Sequence, residues 1–266
     1  MVTLTSAESK RLIAKAVAAL PQVRRAYAAG LLVLQVCSSN GYLYEELTGK
    51  SLDKAAYVCG YINRAGPAAL PAEAGGLREY YFERGEEKWL DFATADFSAL
   101  LARMTEQDVI VKSGNVLDSR GRAGVLLGDA LGGEWGLVRE QALRRGVGLI
   151  VPMTLNKSAP IELERLTAAL DGDCAATTGG GSVRLEPLPG LVLTELEALE
   201  QLAGVTALPL AMNGLGCGEG TVTLLLSGEP QSLGRAGRLL DALKGEPPLY
   251  LAARCRQCVF HLKCRK

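Results

Sequence analysis

Three apolar runs of strand length, each followed by a polar loop and a helix-like segment, constrain the fold of this chain most strongly. They are residues 31–36, 109–111 and 147–151. Unbroken apolar runs are typical of strands that a sheet buries on both faces. Because these runs alternate with helices, they predict an α/β fold in which a mainly parallel sheet is flanked by helices. The ligands of such sheets bind beyond the carboxyl ends of the strands.

The loop after the first run is rich in small polar residues. Ser38, Ser39 and Asn40 directly precede a helical segment that is expected to end near Gly49. Hydroxyl groups and free backbone N–H groups at a helix N-terminus can bind an anion. The same residue types are also the commonest N-caps. The loop is therefore expected either to bind a ligand or only to cap the helix.

Polar residues also follow the second apolar run. Lys112, at a strand end, could neutralise a phosphate or polarise a carbonyl group, and Glu134 could transfer a proton. The alternatives are a lysine whose stem covers apolar surface and an acid that stabilises a helix N-terminus. The candidate pocket residues in this part of the chain are Asp108, Lys112, Asn115, Gly132, Gly133 and Glu134. Lys112 and Glu134 are the predicted catalytic residues.

Two further residues bear on the chemistry of this pocket. Lys157 follows the third apolar run and is either a second cationic contact or a solvated loop lysine. His261 is the single histidine and lies in the C-terminal tail. A Ser–His–Asp or Cys–His mechanism therefore has no credible base. The pocket residues suit the binding of charge better than histidine-dependent turnover.

The C-terminal part of the chain has a different pattern. A capping box over residues 194–197 and a proline at 230 each predict the start of a helix. Together with four apolar runs, they give the order β-α-β-β-α-β, which is typical of a ferredoxin-like α+β domain. The predicted domains are an α/β anion-binding domain (1–181), a ferredoxin-like domain (182–252) and a tail (253–266). Edge strands of ferredoxin-like domains invite pairing, so a homodimer is expected.

The tail combines cysteines with basic residues. The spacing C-x2-C-x2-H-x2-C over residues 255–264 suits Zn²⁺ or an iron–sulfur cluster. Four ligands in ten residues form a cramped chelate, so the alternative is a basic, thiol-bearing tail without metal. The candidate metal ligands are Cys255, Cys258, His261 and Cys264.

The composition excludes some functional classes. Lys+Arg and Asp+Glu each total 29, so no overall field favours a nucleic acid or an anionic membrane. No apolar run approaches the roughly 20 residues of a membrane span, and the N-terminus lacks the pattern of a secretory signal. An odd count of seven cysteines favours the reducing cytoplasm over a disulfide framework.

Two segments resemble one known superfamily. LLVLQVCSSNGYLYEEL (31–47) and DVIVKSGNVLD (108–118) followed by GVLLGDALGGEWGLVRE (124–140) are similar to the ribose-5-phosphate isomerase / CoA-transferase-like superfamily. The resemblance covers about residues 30–160. It implies a sugar phosphate, CoA ester or similar anionic ligand over residues 38–40, 112–115 and 132–134. The first loop lacks the glycines of the superfamily, and Lys112 and Asn115 stand where an isomerase would carry acids, which favours a related but distinct task.

These observations lead to three functional hypotheses. In the first, the protein binds a small anionic metabolite at the strand ends and, if it is an enzyme, transforms it. In the second, it is a metal- or redox-responsive protein that uses the cysteine and histidine residues of the tail. In the third, it is a ligand sensor or assembly factor without catalysis.

Overall fold

The computed structural model describes residues 1–63, 66–69, 77–92, 94–128, 132–170 and 183–250. The helices are α1 (Ser6–Ala19), α2 (Pro21–Ala29), α3 (Ser38–Thr48), α4 (Phe97–Arg103), α5 (Gly133–Leu137), α6 (Leu163–Leu170), α7 (Glu195–Ala203) and α8 (Pro230–Asp241). A π-helical turn, Val138–Ala142, continues α5, and short 3₁₀ turns are formed by Leu143–Arg145, Leu155–Lys157 and Gly216–Gly218.

The strands are mostly short. They are β1 (Val2–Leu4), β2 (Leu31–Leu34), β3 (Gly60–Asn63), β4 (Gly66–Ala69), β5 (Arg78–Glu83), β6 (Glu86–Asp91), β7 (Val109–Val111), β8 (Val116–Leu117), β9 (Ala123–Leu127), β10 (Gly148–Pro152), β11 (Arg184–Pro187), β12 (Leu191–Leu193), β13 (Thr206–Asn213) and β14 (Thr221–Ser227).

A six-stranded mixed sheet forms the centre of the molecule, in the order β12-β10-β7-β2-β5-β6. Neighbours among β12, β10, β7 and β2 are parallel. The hairpin of β5 and β6 adds two antiparallel strands at one side. The prediction of an α/β fold is confirmed at this level. Every residue of β2 and β7 is buried, as expected for central parallel strands.

Helices cover both faces of this sheet. On one face, the ring of Tyr44 in α3 lies 4.6 Å from that of Tyr80, and Tyr27 in α2 lies 4.9 Å from Phe82, measured between centroids. On the other face, the ammonium group of Lys112 lies 5.9 Å from the centroid of the Trp135 ring in α5. Side chains alternate between the faces of a strand, so α2 and α3 lie opposite α5.

Local sequence signals account for several helix ends. The Thr5 hydroxyl accepts from the Glu8 backbone N–H at 3.2 Å, and a Glu8 carboxylate oxygen accepts from the Thr5 N–H at 2.9 Å. The same reciprocal capping box is formed by Thr194 and Glu197 at the start of α7. Gly49 ends α3 with a left-handed backbone, φ 69°. Helix boundaries that depend on adjacent residues were therefore predictable from sequence.

The prediction of a ferredoxin-like domain is wrong, because its strands do not form a single sheet. The strands assigned to it lie in two different sheets: β12 extends the central sheet beside β10, whereas β13 and β14 join β1. A further strand in the same range, β11, pairs with β9. The order of elements along a chain does not determine which strands pair with each other. The strand expected at 249–251 is not formed by residues 249–250, and the domain boundary at 181/182 lies outside the described residues.

None of the helices in the described part of the chain is both long enough and apolar enough to cross a membrane.

Candidate functional site

Three neighbouring strands bring a row of polar side chains to one edge of the central sheet. Leu34, the last residue of β2, pairs with Val111 of β7 on one side and with Tyr80 of β5 on the other. The next position on each strand is therefore Gln35, Lys112 and Glu79, respectively. Residues that face each other across a sheet project from the same face. These three side chains consequently form a row at the carboxyl end of β2 and β7, on the face covered by α5.

Glu79 and Glu134 form a buried carboxyl pair in this row. Glu79 is 1% exposed, and its Oε1 atom has no hydrogen-bond partner. Burial, together with the adjacent Glu134 carboxylate, raises the pKa of Glu79 well above its ordinary value. Burial also raises the pKa of Glu134, while a hydrogen bond from Glu79 and the charge of Lys112 oppose the rise. Both shifts favour the protonated form, and protonated Glu79 can donate a hydrogen bond to Glu134.

Lys112 supplies the positive charge of this site. Its charge partly opposes the rise that burial causes in the pKa values of Glu79, Glu134 and the neighbouring Cys59. Burial nevertheless raises the pKa of the Cys59 thiol to about 11, so this cysteine is protonated at neutral pH and is a poor nucleophile. The indole ring of Trp135 is 2% exposed and faces the ammonium group of Lys112. The structure thus brings Lys112 and Glu134 together, and their catalytic roles stay a prediction.

Gln35 is the remaining member of the row. It is 1% exposed, yet neither the Nε2 nor the Oε1 atom of its side chain has a hydrogen-bond partner. A buried, unpaired amide costs roughly 1–3 kcal/mol, and a bound ligand could satisfy it. We refer to Gln35, Glu79, Lys112 and Glu134 as the carboxyl cluster.

Neither Gln35 nor Glu79 was identified from the sequence. Glu79 directly precedes the aromatic run Tyr80-Tyr81-Phe82, and an acid at that position is also compatible with a solvated strand end. Its place beside Lys112 follows from strand pairing across the sheet. The available sequence signal was only an isolated acid at the start of an apolar strand.

Other predicted pocket residues stabilise the fold. The Asn115 Oδ1 atom accepts from the Leu126 backbone N–H at 3.0 Å, so its side chain supports the pairing of β8 and β9. The carboxylate of Asp108 accepts from the backbone N–H groups of Leu31, at 2.6 Å, and Thr105, at 2.7 Å. Asp108 precedes β7 and thus lies at the opposite end of that strand from Lys112. It does not belong to the carboxyl cluster.

The glycine pair positions Glu134. Gly132 and Gly133 have φ values of 86° and 53°, in the left-handed region that favours glycine. A Cβ atom on Gly132 would lie 3.2 Å from the backbone of Gly136, which is closer than normal contact. These glycines let the chain turn tightly into α5 directly before Glu134. Their predicted role as ligand contacts stays a prediction.

The residues around the start of α3 have different structural roles. Cys37 is the N-cap, and its Sγ atom accepts from the Asn40 backbone N–H at 3.4 Å. Asn40 is fully buried, and its Nδ2 atom donates to the carbonyl groups of Gln35 and Val111, both at 2.7 Å. It therefore ties α3 to the ends of β2 and β7. Ser38 accepts instead from the ammonium group of Lys10 at 3.2 Å.

Ser39 and Lys157 lie on the same side of the sheet as α3. Ser39 lines a cavity of about 10 Å³, room for about one water molecule, together with Lys10 and Thr154. The ammonium group of Lys157 donates to the Ser113 hydroxyl at 3.0 Å and to the Gly114 carbonyl at 2.7 Å. Lys157 is thus a partly buried contact at the strand ends, and the alternative of a solvated loop lysine is wrong.

The predicted metal ligands Cys255, Cys258, His261 and Cys264 lie outside the described residues. Within the ranges that are described, no group of three or more histidine, cysteine or acidic side chains could hold a metal ion.

Comparison with known proteins gives no family for this chain. No family model matches it, no curated protein is detectably similar to it, and no solved structure matches it. Its function must therefore be argued from the chemistry of the carboxyl cluster and its surroundings.

Proposed function

We propose that the protein binds a small anionic metabolite at the carboxyl edge of the central sheet and transfers a proton to or from it through Glu79 and Glu134. The observation that supports this function is a carboxyl pair next to Lys112, in which Glu79 is almost fully buried and both pKa values are raised. Groups whose pKa values are shifted by burial and a specific charge partner concentrate at functional sites.

The four groups of the carboxyl cluster suit proton abstraction next to a carbonyl group. Ionised Glu134 is the base, and protonated Glu79 can return a proton. Lys112 stabilises the negative charge that develops on the substrate oxygen. The unpaired amide of Gln35 orients the substrate by hydrogen bonding. Each role is assigned to a group whose burial or charge already fits it.

The superfamily resemblance implies sugar phosphates, CoA esters or similar anionic ligands, and we include dicarboxylates as a further class of small anion. Sugar phosphates, CoA esters and dicarboxylates all combine an anionic group with a carbonyl or carboxyl group, which the carboxyl cluster could bind and deprotonate. Membership of the ribose-5-phosphate isomerase / CoA-transferase-like superfamily is part of this proposal. The strand–loop–helix order of β2 and α3 is compatible with it.

A thermal-shift screen with these three ligand classes tests binding. We expect at least one ligand to raise the Tm, because a ligand at 100 times its Kd stabilises the folded state by about 2.7 kcal/mol. Lys112→Met should remove this rise, since it removes the positive charge of the site. Lys50→Met is the matched control, because Lys50 is 61% exposed and pairs with Glu87 at the surface. The proposal fails if no ligand raises the Tm of the wild-type protein.

Hydrogen exchange separates an enzyme from a sensor. With a ligand from the screen in D₂O, the wild-type protein should incorporate deuterium at the carbon next to the carbonyl group, measured by proton NMR. Glu134→Gln should bind the same ligand and slow the exchange by about 10²-fold or more, the usual contribution of a general base. Binding without exchange in the wild-type protein would support the sensor hypothesis.

The metal- or redox-responsive hypothesis concerns the tail and is tested separately. Metal analysis of protein purified without oxygen should find zinc or iron in a ratio near one per chain if Cys255, Cys258, His261 and Cys264 bind it. Metal contents at background would exclude this function. Neither result bears on the carboxyl cluster.

A further inference from the structure

Two lysines from different elements approach the sheet edge on the face opposite the carboxyl cluster. Lys10 projects from α1 and donates to the hydroxyl group of Ser38 at 3.2 Å. Lys157, in the turn after β10, donates to the hydroxyl group of Ser113 at 3.0 Å and to the Gly114 carbonyl at 2.7 Å. Among the described residues, neither lysine forms an ion pair with a carboxylate. We refer to Lys10, Lys157, Ser38 and Ser113 as the lysine cluster.

The positive charge of the lysine cluster is poorly compensated by the protein. Burial lowers the pKa of Lys10, and burial together with the charge of Lys10 lowers that of Lys157 to about 8. Glu195 and Cys37 are the acidic groups that act against this shift at Lys157. Burial raises the pKa of Glu195 as well, which weakens it as a counter-charge. Two desolvated like charges are costly without a partner, and an anion would provide one.

The other groups around the two lysines also favour an anion. Ser38 is the first residue of α3, a helix of eleven residues, so the positive end of its dipole lies there. Ser38, Ser113 and Lys157 follow three neighbouring strands of the central sheet, β2, β7 and β10. Ligands of parallel sheets bind at this position. Ammonium groups, hydroxyl groups and a helix N-terminus are the groups that bind phosphate.

We propose that the lysine cluster binds the phosphate-class oxyanion of the ligand. The two clusters lie on opposite faces of the same sheet edge, at the ends of the same strands. A ligand that spans this edge places its anionic group on Lys10 and Lys157 and its reacting carbon beside Glu134. The second half of this arrangement rests on the proposed function, whereas the anion site itself does not.

Titration of inorganic phosphate, followed by ³¹P NMR, tests the anion site. The wild-type protein should bind phosphate at neutral pH, and binding should weaken as the pH rises above about 8, where Lys157 loses its proton. Lys10→Met and Lys157→Gln should each weaken binding at least about tenfold, because each removes a charged hydrogen-bond donor. Glutamine at 157 keeps an amide donor for Ser113 and Gly114, which protects the fold.

Controls separate this inference from the proposed function. Lys15→Met is matched to Lys10→Met, since Lys15 also lies on α1 but pairs with Glu46. It should bind phosphate normally. If Lys112→Met loses phosphate while the two cluster variants retain it, the lysine cluster is not the anion site and the carboxyl cluster is. If the wild-type protein binds no phosphate at millimolar concentration, the inference is overturned. Phosphate binding without proton exchange on any metabolite would refute the proposed function alone.

Discussion

The carboxyl group of Glu79 is almost fully buried. This burial makes the free energy of unfolding depend on pH, which can be measured. In the unfolded chain its pKa is near 4.5, whereas burial and Glu134 raise it in the folded protein. The folded state therefore holds a proton that the unfolded chain releases above about pH 4.5. The stabilisation associated with that proton is fully present below the unfolded pKa and is lost as the pH rises through the folded value.

Replacement of Glu79 by glutamine should remove this dependence. The free energy of unfolding of the wild-type protein should fall between pH 5 and pH 8, by up to about 1.4 kcal/mol per pH unit for one proton. Glu79→Gln should show a smaller fall and should be more stable than the wild-type protein at pH 8. Urea denaturation at both pH values measures this. Glu86→Gln, at an exposed glutamate of β6, is the control. An unchanged pH dependence in Glu79→Gln would mean that Glu79 does not hold the proton.

At the scale of elements, the sequence predicted the features that depend on residues close together in the chain, such as helix caps and apolar strands. Thr5 and Glu8 lie three residues apart, so their capping box was visible in the sequence and is formed. The apolar β2 and β7 were likewise visible as uninterrupted runs. Strand partners were not, because the pairing of β12 with β10 depends on competition between sheets. Glu79 and Lys112 lie far apart in sequence, so the carboxyl cluster was only half predicted.

Asn40 shows how a correctly noticed residue can have a different role. It was predicted to cap α3 or bind an anion, and it instead connects α3 to two strands of the sheet. Asn40→Ala should therefore reduce the free energy of unfolding by about 2–4 kcal/mol, because it removes two buried hydrogen bonds and leaves the carbonyl of Gln35 unpaired. Asn156→Ala is the control, since Asn156 is exposed and should cost less than about 0.5 kcal/mol. Equal losses in chemical denaturation would argue against this role of Asn40.

At the scale of the whole molecule, residues near the two ends of the described chain form hydrogen bonds and ion pairs with each other. The Glu8 carboxylate that caps α1 also accepts from the ammonium group of Lys244 at 3.0 Å and from the Gly245 backbone N–H at 3.1 Å. Arg11 bonds to Glu246 at 2.9 Å and also contacts Glu45. These partly buried contacts make residues 244–246 part of the packing around α1.

The sheet of β1, β14 and β13 bears on the proposed homodimer. β13 is an edge strand of this sheet, and its Leu208 and Leu210 are 57% and 60% exposed. Pro209 and a β-bulge interrupt the free edge of β13, but its exposed leucines are suited to packing against a second copy. Sedimentation velocity should find a dimer for the wild-type protein and a monomer for Leu210→Lys. Leu215→Lys, at an exposed leucine outside the strand, should remain dimeric. A monomeric wild-type protein would exclude this homodimer.

The antiparallel pairing of β1 with β14 also governs when the protein can finish folding. Val2 lies opposite Leu224, so β1 has no partner until more than two hundred further residues have been translated. Domains usually fold as units during synthesis, starting from the N-terminal side. Here the small sheet cannot close until β14 has left the ribosomal tunnel. Until then Val2 and Leu4 of β1 lack their pairing partners in β14.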